Sequence, residues 1–214
     1  MVAAESFVSE LDAKNQNSLQ RIVDALRAAL AKEGVEVADA LRFATKAVIE
    51  VAEVAALWVS DCGDLEMKLS LAEQCGDSAR QCRRLFGRMA ELGVPPFNPR
   101  DGGYSKSFAF LRSLQTAEER SSAGYVTGKA LAIARLGALA SFCESQSDAA
   151  SARLLTEIAD EERRYYEQGK GMLASAAATE ESQARGRRAA YRTLELASET
   201  AEPLQLRKAL GRRR

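Results

Sequence analysis

The chain has 214 residues, 46% of them hydrophobic and 28% charged, with 30 acidic side chains balanced by 30 basic ones and no histidine. This is the composition of a globular protein long enough to enclose one sizeable core, and its balanced charge provides no global attraction for nucleic acid or an anionic membrane surface. Without imidazole, chemistry that needs a histidine metal ligand or a histidine base near neutral pH is excluded.

Met1 to Glu10 shows no basic segment leading into an apolar one, so no secretory signal is expected. Four cysteines, Cys62, Cys75, Cys82 and Cys143, lack paired motif spacing and point to reduced thiols in a cytoplasmic protein. An amphipathic stretch from about Asn15 to Lys32 predicts a helix stopped at Gly34. A second runs from Val37 to about Asp61, where Leu41, Ala44, Val48, Val51, Ala55, Trp58 and Cys62 recur at steps of three and four, as a buried bundle face does. Asp61 to Asp64 reads as a tight turn ending in an N-cap. The third stretch continues through Leu92, with Leu65, Ala72, Cys75, Ala79, Cys82, Phe86 and Met89 as its seam and Leu71, Ser78, Leu85 and Leu92 as a flanking row.

Gly93 to Gly103 holds Pro95, Pro96 and Pro99 and cannot sustain a helix. At about 3.3 Å per residue, the segment from Gly93 to Lys106 can reach roughly 45 Å, enough to return along the length of a helix. Thr116 and Glu119 form a capping box that opens a helix through about Cys143, with Leu131, Ile133, Ala134, Leu136, Gly137 and Ala140 on its apolar face. The turn Ser145 to Asp148 leads into a helix of roughly Ala149 to Ala178, with Leu155, Ile158, Tyr165, Gly169 and Met172 inward. A further helix from about Ser182 to Ser198 packs outside. The longest apolar stretches, such as Val48 to Ser60, are broken by Glu50 and Glu53 and fall short of a membrane span. No segment alternates as a strand would. The expected fold is all-α and a single domain: an N-terminal helical extension (1–36), a four-helix bundle with one long crossover (37–178), and a C-terminal helix with a basic tail (179–214).

Two stretches inside these helices share the frame Asp-x-x-Arg: Asp77-Ser78-Ala79-Arg80-Gln81 and Asp160-Glu161-Glu162-Arg163-Arg164. Their order, one on each side of a long crossover, resembles the ferritin-like superfamily of di-iron carboxylate proteins, whose frame reads Asp-Glu-x-Arg-His. There, Glu and His three residues apart on one helical face bind iron. The resemblance implies that Ser78/Gln81 and Glu161/Arg164 stand where the two Glu/His pairs would be, with Asp77, Arg80, Asp160 and Arg163 as motif support. The family also takes one Glu from each remaining bundle helix. Counting back from the first motif reaches Glu50; counting back from the second reaches Thr127 and Gly128, with no carboxylate between Arg120 and Glu144.

The di-iron cofactor of the family is therefore not expected here, and no metal is assigned. Clustered buried carboxylates without a metal are left desolvated at a cost of several kcal/mol, about what Ser78 and Gln81 avoid by being neutral. Arg164, one turn after Glu161, supplies a fixed positive charge that forms an internal ion pair where the metal would have been. Other readings accompany each residue. Glu162 competes with Glu161 for the inward position, Glu161 and Arg164 also read as an exposed pair, and Ser78 and Gln81 read as satisfied core polar groups. Cys75 and Cys82, seven apart, suit a soft Cu(I) channel or simple core packing. Tyr165 and Tyr166 read as core and interface aromatics.

The basic clusters Arg80/Arg83/Arg84/Arg88, Arg185/Arg187/Arg188 and Arg207/Lys208/Arg212/Arg213/Arg214 read as a solvated face and terminus, or as docking sites for an acidic partner. Without interleaved aromatics they do not suit single-stranded nucleic acid. The functional expectation is a metal-free, non-enzymatic protein: a scaffold, a structural subunit, or a binder of a protein partner, a second copy or a small anion. The alternative is an oxidoreductase with an atypical carboxylate-only site that recruits Asp77, Asp160, Glu157 or Glu162. A helical regulator unrelated to ferritins is a third reading.

Overall fold

The computed structural model of the chain describes residues 3–199 together with Pro203, Leu206, Arg207 and Lys208; Arg212, Arg213 and Arg214 lie outside the described residues. The fold is all-α, with 84% helix and no strand among the described residues. Eight α-helices follow in order: α1 (Ala4–Leu30), α2 (Val37–Asp61), α3 (Leu65–Glu91), α4 (Lys106–Leu111), α5 (Ala117–Arg120), α6 (Gly128–Ser145), α7 (Ala149–Ala176) and α8 (Glu180–Ser198). Ser121–Thr127, between α5 and α6, is a π-helical segment, so Ala117–Ser145 forms one continuous helix.

α1 begins well before the Asn15 that the sequence pattern implies. Its first turns bury Phe7, Val8 and Leu11 against Val126, Leu173, Ala177 and Ala190, so tertiary packing extends the helix. It ends at Leu30 with Ala31 as its C-cap, slightly earlier than expected, and the left-handed Gly34, φ 78°, lies in the turn that follows. α2 has the expected limits. α3 is capped by Asp64, whose carboxylate accepts from the Met67 N–H at 2.7 Å.

α2 and α3 form one antiparallel pair and α6 and α7 another, with α2 laid beside α6 and α3 beside α7. The antiparallel sense of α3 and α7 is set by three rungs, Ser70 to Gln168, Gln81 to Glu161 and Arg88 to Asp148. α1 covers α6 and α7 from outside, and α8 packs on α1, α5 and the π-helical segment. The connection from Gly93 returns along α2: Val94 and Phe97 rest on one core cluster, Phe108 lies in the next, and Phe86 and Phe97 rings meet at 5.5 Å. It is not wholly extended. Pro99–Gly102 makes a 3-10 turn capped by the Asn98 side chain, and Ser105 caps α4.

Two expectations about faces are corrected. α3 buries Leu71, Ser78 and Leu85 of the flanking row together with Met67, Gln74 and Gln81, and of the expected seam it buries Cys82 and Met89, while Leu65, Ala72 and Ala79 of the seam and Leu92 of the row are exposed. The burial stripe is thus rotated toward α7, whose rungs pull that side of α3 inward. The longest apolar run is also not Val48 to Ser60. Ala117–Ser145 is long and apolar enough to cross a membrane, and half of its most apolar window is buried inside the protein. Its lack of a polar face follows from neighbours on several sides, α1, α2, α7 and, at its N-terminal end, α8.

α7 and the π-helical segment approach closely at Gly169. A Cβ there would lie 2.3 Å from Tyr125 Cβ, so only glycine permits the approach.

Candidate functional site

The polar centre of the bundle is assembled from α3, α6 and α7. Along α7 the inward positions are Leu155, Ile158, Glu162, Tyr165 and Gly169, at alternating steps of three and four. Glu162 therefore faces the core and Glu161 the rim. Opposite it on α6, Lys129 donates from Nζ to Glu162 Oε2 at 2.6 Å, and the two side chains are 2% and 6% exposed. The ammonium also lies 5.0 Å from the centroid of the Tyr165 ring, where the π face favours a cation.

Gln81 on α3 completes the centre. Its Nε2 donates to Glu162 Oε1 at 3.2 Å and to Glu161 Oε2 at 3.0 Å. The two carboxylates fix the orientation of the amide, because the reverse would set its oxygen against both. Gln81 Oε1 is consequently buried with no hydrogen-bond partner among the described residues. Leaving such an acceptor unsatisfied costs about 1–3 kcal/mol, which a ligand donor would recover.

A cavity of about 420 Å³ opens beside this centre, lined by Ser78, Gln81, Lys129 and Glu162 at one end and by apolar side chains of α2 and α6 along its length. Glu50 lines it on the α2 side, where it accepts from Lys46 Nζ at 2.6 Å, from the Ser105 N–H at 2.9 Å and from the Ser105 hydroxyl at 2.5 Å. The crossover is thereby tied over the cavity. This volume falls within the range of about 300–1,000 Å³ common to small-molecule sites, and the mixture of apolar walls with a few convergent polar groups is the usual one.

The remaining motif residues form an outer ladder. Arg84 bridges Glu161 Oε1 at 2.6 Å and Glu157 Oε2 at 2.5 Å. Asp77 accepts from Arg80, from Arg164 and, at 2.6 Å, from the Tyr165 hydroxyl. Asp160 and Arg163 pair with each other on the exposed face. The expected internal Glu161–Arg164 pair is thus corrected: Arg164 is 55% exposed and turned toward Asp77, and Glu161 is neutralised by Arg84. The helical register places Arg164 one position before the inward Tyr165, which carries its guanidinium to the rim. Arg80, Arg84 and Arg88 act as rungs within and between helices. Arg88, for example, reaches Asp148 at 2.9 Å.

Lys129 is the residue the motif comparison passes over. It stands alone as a charge in the run Ser121 to Ala134, and a lone charge in an apolar helix needs a buried partner. Glu162 had its own signal, since it fills the gap between Ile158 and Tyr165 in the inward seam.

Burial shapes the thiols and phenols nearby. Desolvation pushes Cys82 up to about 11 and Cys143 to about 12, and raises Cys75. Desolvation likewise takes Tyr125 to about 12, opposed by its hydrogen bond with Ser70. These thiols are therefore protonated near neutral pH. Among the described residues, no three or more His, Cys, Asp or Glu side chains converge in a group that could hold a metal ion. The carboxylates nearest the centre are each already matched to a cation, so the donor set does not suit a di-metal pair. No protein-family model, curated protein or solved structure matches this chain.

Proposed function

We propose that the protein is a metal-free member of the ferritin-like superfamily, a non-enzymatic helical protein whose bundle interior binds a small, mainly apolar molecule. Support for the superfamily comes from the connectivity: two antiparallel helix pairs, a long crossover between them, and Gln81 and Glu162 brought face to face from the two Asp-x-x-Arg segments. Support for the absence of metal comes from charge. Lys129 supplies beside Glu162 the positive charge that cations supply in the family, and an ammonium at 2.6 Å from the carboxylate repels a second cation.

The observation that carries the binding function is the unpartnered Gln81 Oε1 at the wall of the 420 Å³ cavity. The site accepts a ligand with an apolar body and one hydrogen-bond donor. Indole, titrated by calorimetry, is a suitable probe. Saturable binding is expected, weakened by Gln81→Leu and lost on filling the cavity with Ala132→Phe. Absence of saturable binding overturns the binding function. Stoichiometric iron or manganese in protein from iron-rich culture, lost on Glu162→Ala, overturns the metal-free reading in favour of an oxidoreductase with a carboxylate site.

A further inference from the structure

A second cavity, a groove of about 720 Å³, lies outside the bundle between α1 and α8. Its floor is apolar, formed by Leu11, Ile22, Leu26 and Leu194, while Lys14, Arg21, Arg135 and Arg187 line its sides. None of these four cations has a carboxylate partner among the described residues. Arg21 donates to Ser18, Arg187 lies over the Phe7 ring at 5.2 Å, and Arg135 donates to the Ala197 carbonyl at 2.9 Å and stacks on Phe43. The single acidic lining residue, Glu195, already accepts from Arg192.

Arg135 is the anomaly. It projects half-buried from α6, and desolvation lowers it to about 10, yet no carboxylate among the described residues is paired with it. Buried guanidinium groups are ordinarily matched to carboxylate or phosphate. From Arg187 to Ala197, α8 rises about 15 Å along the groove, room for an extended alkyl chain. The segment after Ser198 carries Glu199 and Glu202 against Arg207, Lys208, Arg212, Arg213 and Arg214, so its net sign is positive, like that of the groove.

We propose that the α1/α8 groove binds a free long-chain carboxylate, its head group held by Arg135 and its chain lying on Ile22, Leu26 and Leu194. The site is separate from the bundle cavity, although Arg135 borders both. One negative head group is matched there to an excess of positive charge, and the hydrocarbon replaces water over an apolar floor.

Calorimetric titration with laurate, and with dodecanol as its uncharged counterpart, tests this on the full chain. Laurate is expected to bind about tenfold more tightly than dodecanol and to lose about tenfold on Arg135→Gln. Ala25→Trp, which fills the groove from an exposed position on α1, should abolish binding, while Ala132→Phe in the bundle cavity should leave it unchanged. Should Arg135→Gln not fold, Arg187→Gln at the rim is expected to weaken laurate about threefold. Equal affinity for dodecanol overturns the proposal, as does laurate binding that Ala25→Trp does not affect. Loss of laurate on Ala132→Phe places the ligand in the bundle and overturns it too. Binding only to anionic phospholipid vesicles, with none to monomeric laurate, does the same.

Discussion

Lys129 and Glu162, one from each helix of the α6/α7 pair, meet at 2.6 Å with both side chains buried. Removing either charge alone leaves the other desolvated and unpaired. Lys129→Met and Glu162→Gln are each expected to lower the unfolding free energy by about 3–5 kcal/mol, as measured by urea denaturation at pH 7. The double change Lys129→Met/Glu162→Leu removes both desolvation penalties, so it should unfold within about 2 kcal/mol of the parent or be more stable. A double variant as weak as the sum of the singles would mean that the two charges are energetically independent, and would overturn the pairing.

The contact between Gly169 and Tyr125 can be separated from ordinary helix propensity by two parallel substitutions. At Gly169 a methyl group meets Tyr125 Cβ at 2.3 Å, and α7 must retreat from the π-helical segment. Gly169→Ala is expected to cost about 1–3 kcal/mol. Gly137 lies on the exposed side of α6, where an added methyl group would have nothing within 4 Å, and Gly137→Ala should stabilise by up to about 1 kcal/mol. Thermal unfolding of the two variants should therefore shift in opposite directions.

The parts of the fold that were legible in the sequence are those set by local chemistry. Val37 and Asp61 bound α2 as its pattern implies, Asp64 and Thr116 cap helices through their own side chains, and Pro95, Pro96 and Pro99 forbid a helix in the crossover. The parts that were not legible depend on how helices rotate against each other. Leu71, Ser78 and Leu85 and the parallel seam through Ala72 and Ala79 lie side by side on α3, and only the approach of α7 decides between them. In the polar centre, Gln81 and Glu162 were within reach of periodicity, because the inward series Leu155, Ile158, Tyr165 and Gly169 has one vacancy and Glu162 fills it. Lys129 was not, since its partner lies 33 residues away in sequence and only packing brings them together.

Alkali should weaken the protein through its buried thiols. Cys82 and Cys143 titrate at about 11 and about 12 in the folded chain, against 9.0 for a free thiol. The folded state therefore holds these protons where the unfolded state has lost them. Their contribution is fully present below pH 9 and is lost as pH rises through 11 and 12, with each thiol contributing a slope of up to about 1.4 kcal/mol per pH unit. Urea midpoints should be flat with respect to these groups between pH 7 and 8.5 and fall above pH 9. Substituting Cys82→Ala and Cys143→Ala together should reduce that fall. A fall of unchanged steepness in the double variant would assign it to other groups, such as Tyr125.

Asp77 and Arg164 provide the sharpest contrast with the centre. Asp77 is nearly buried and accepts from Tyr165, Arg80 and Arg164, whereas Arg164 is 55% exposed and one partner among three. Solvent screens the Arg164 interaction, so Arg164→Ala is expected to cost less than about 1 kcal/mol. Asp77→Ala strips the buried Tyr165 hydroxyl of its acceptor and should cost about 1–3 kcal/mol. Tyr165→Phe removes the same hydrogen bond from the other side and should make the Asp77 change milder in a double-mutant cycle. If Arg164→Ala instead destabilised as much as Lys129→Met, the guanidinium would be the neutralising cation of the bundle, and the centre would have to be drawn around Asp77 rather than Glu162.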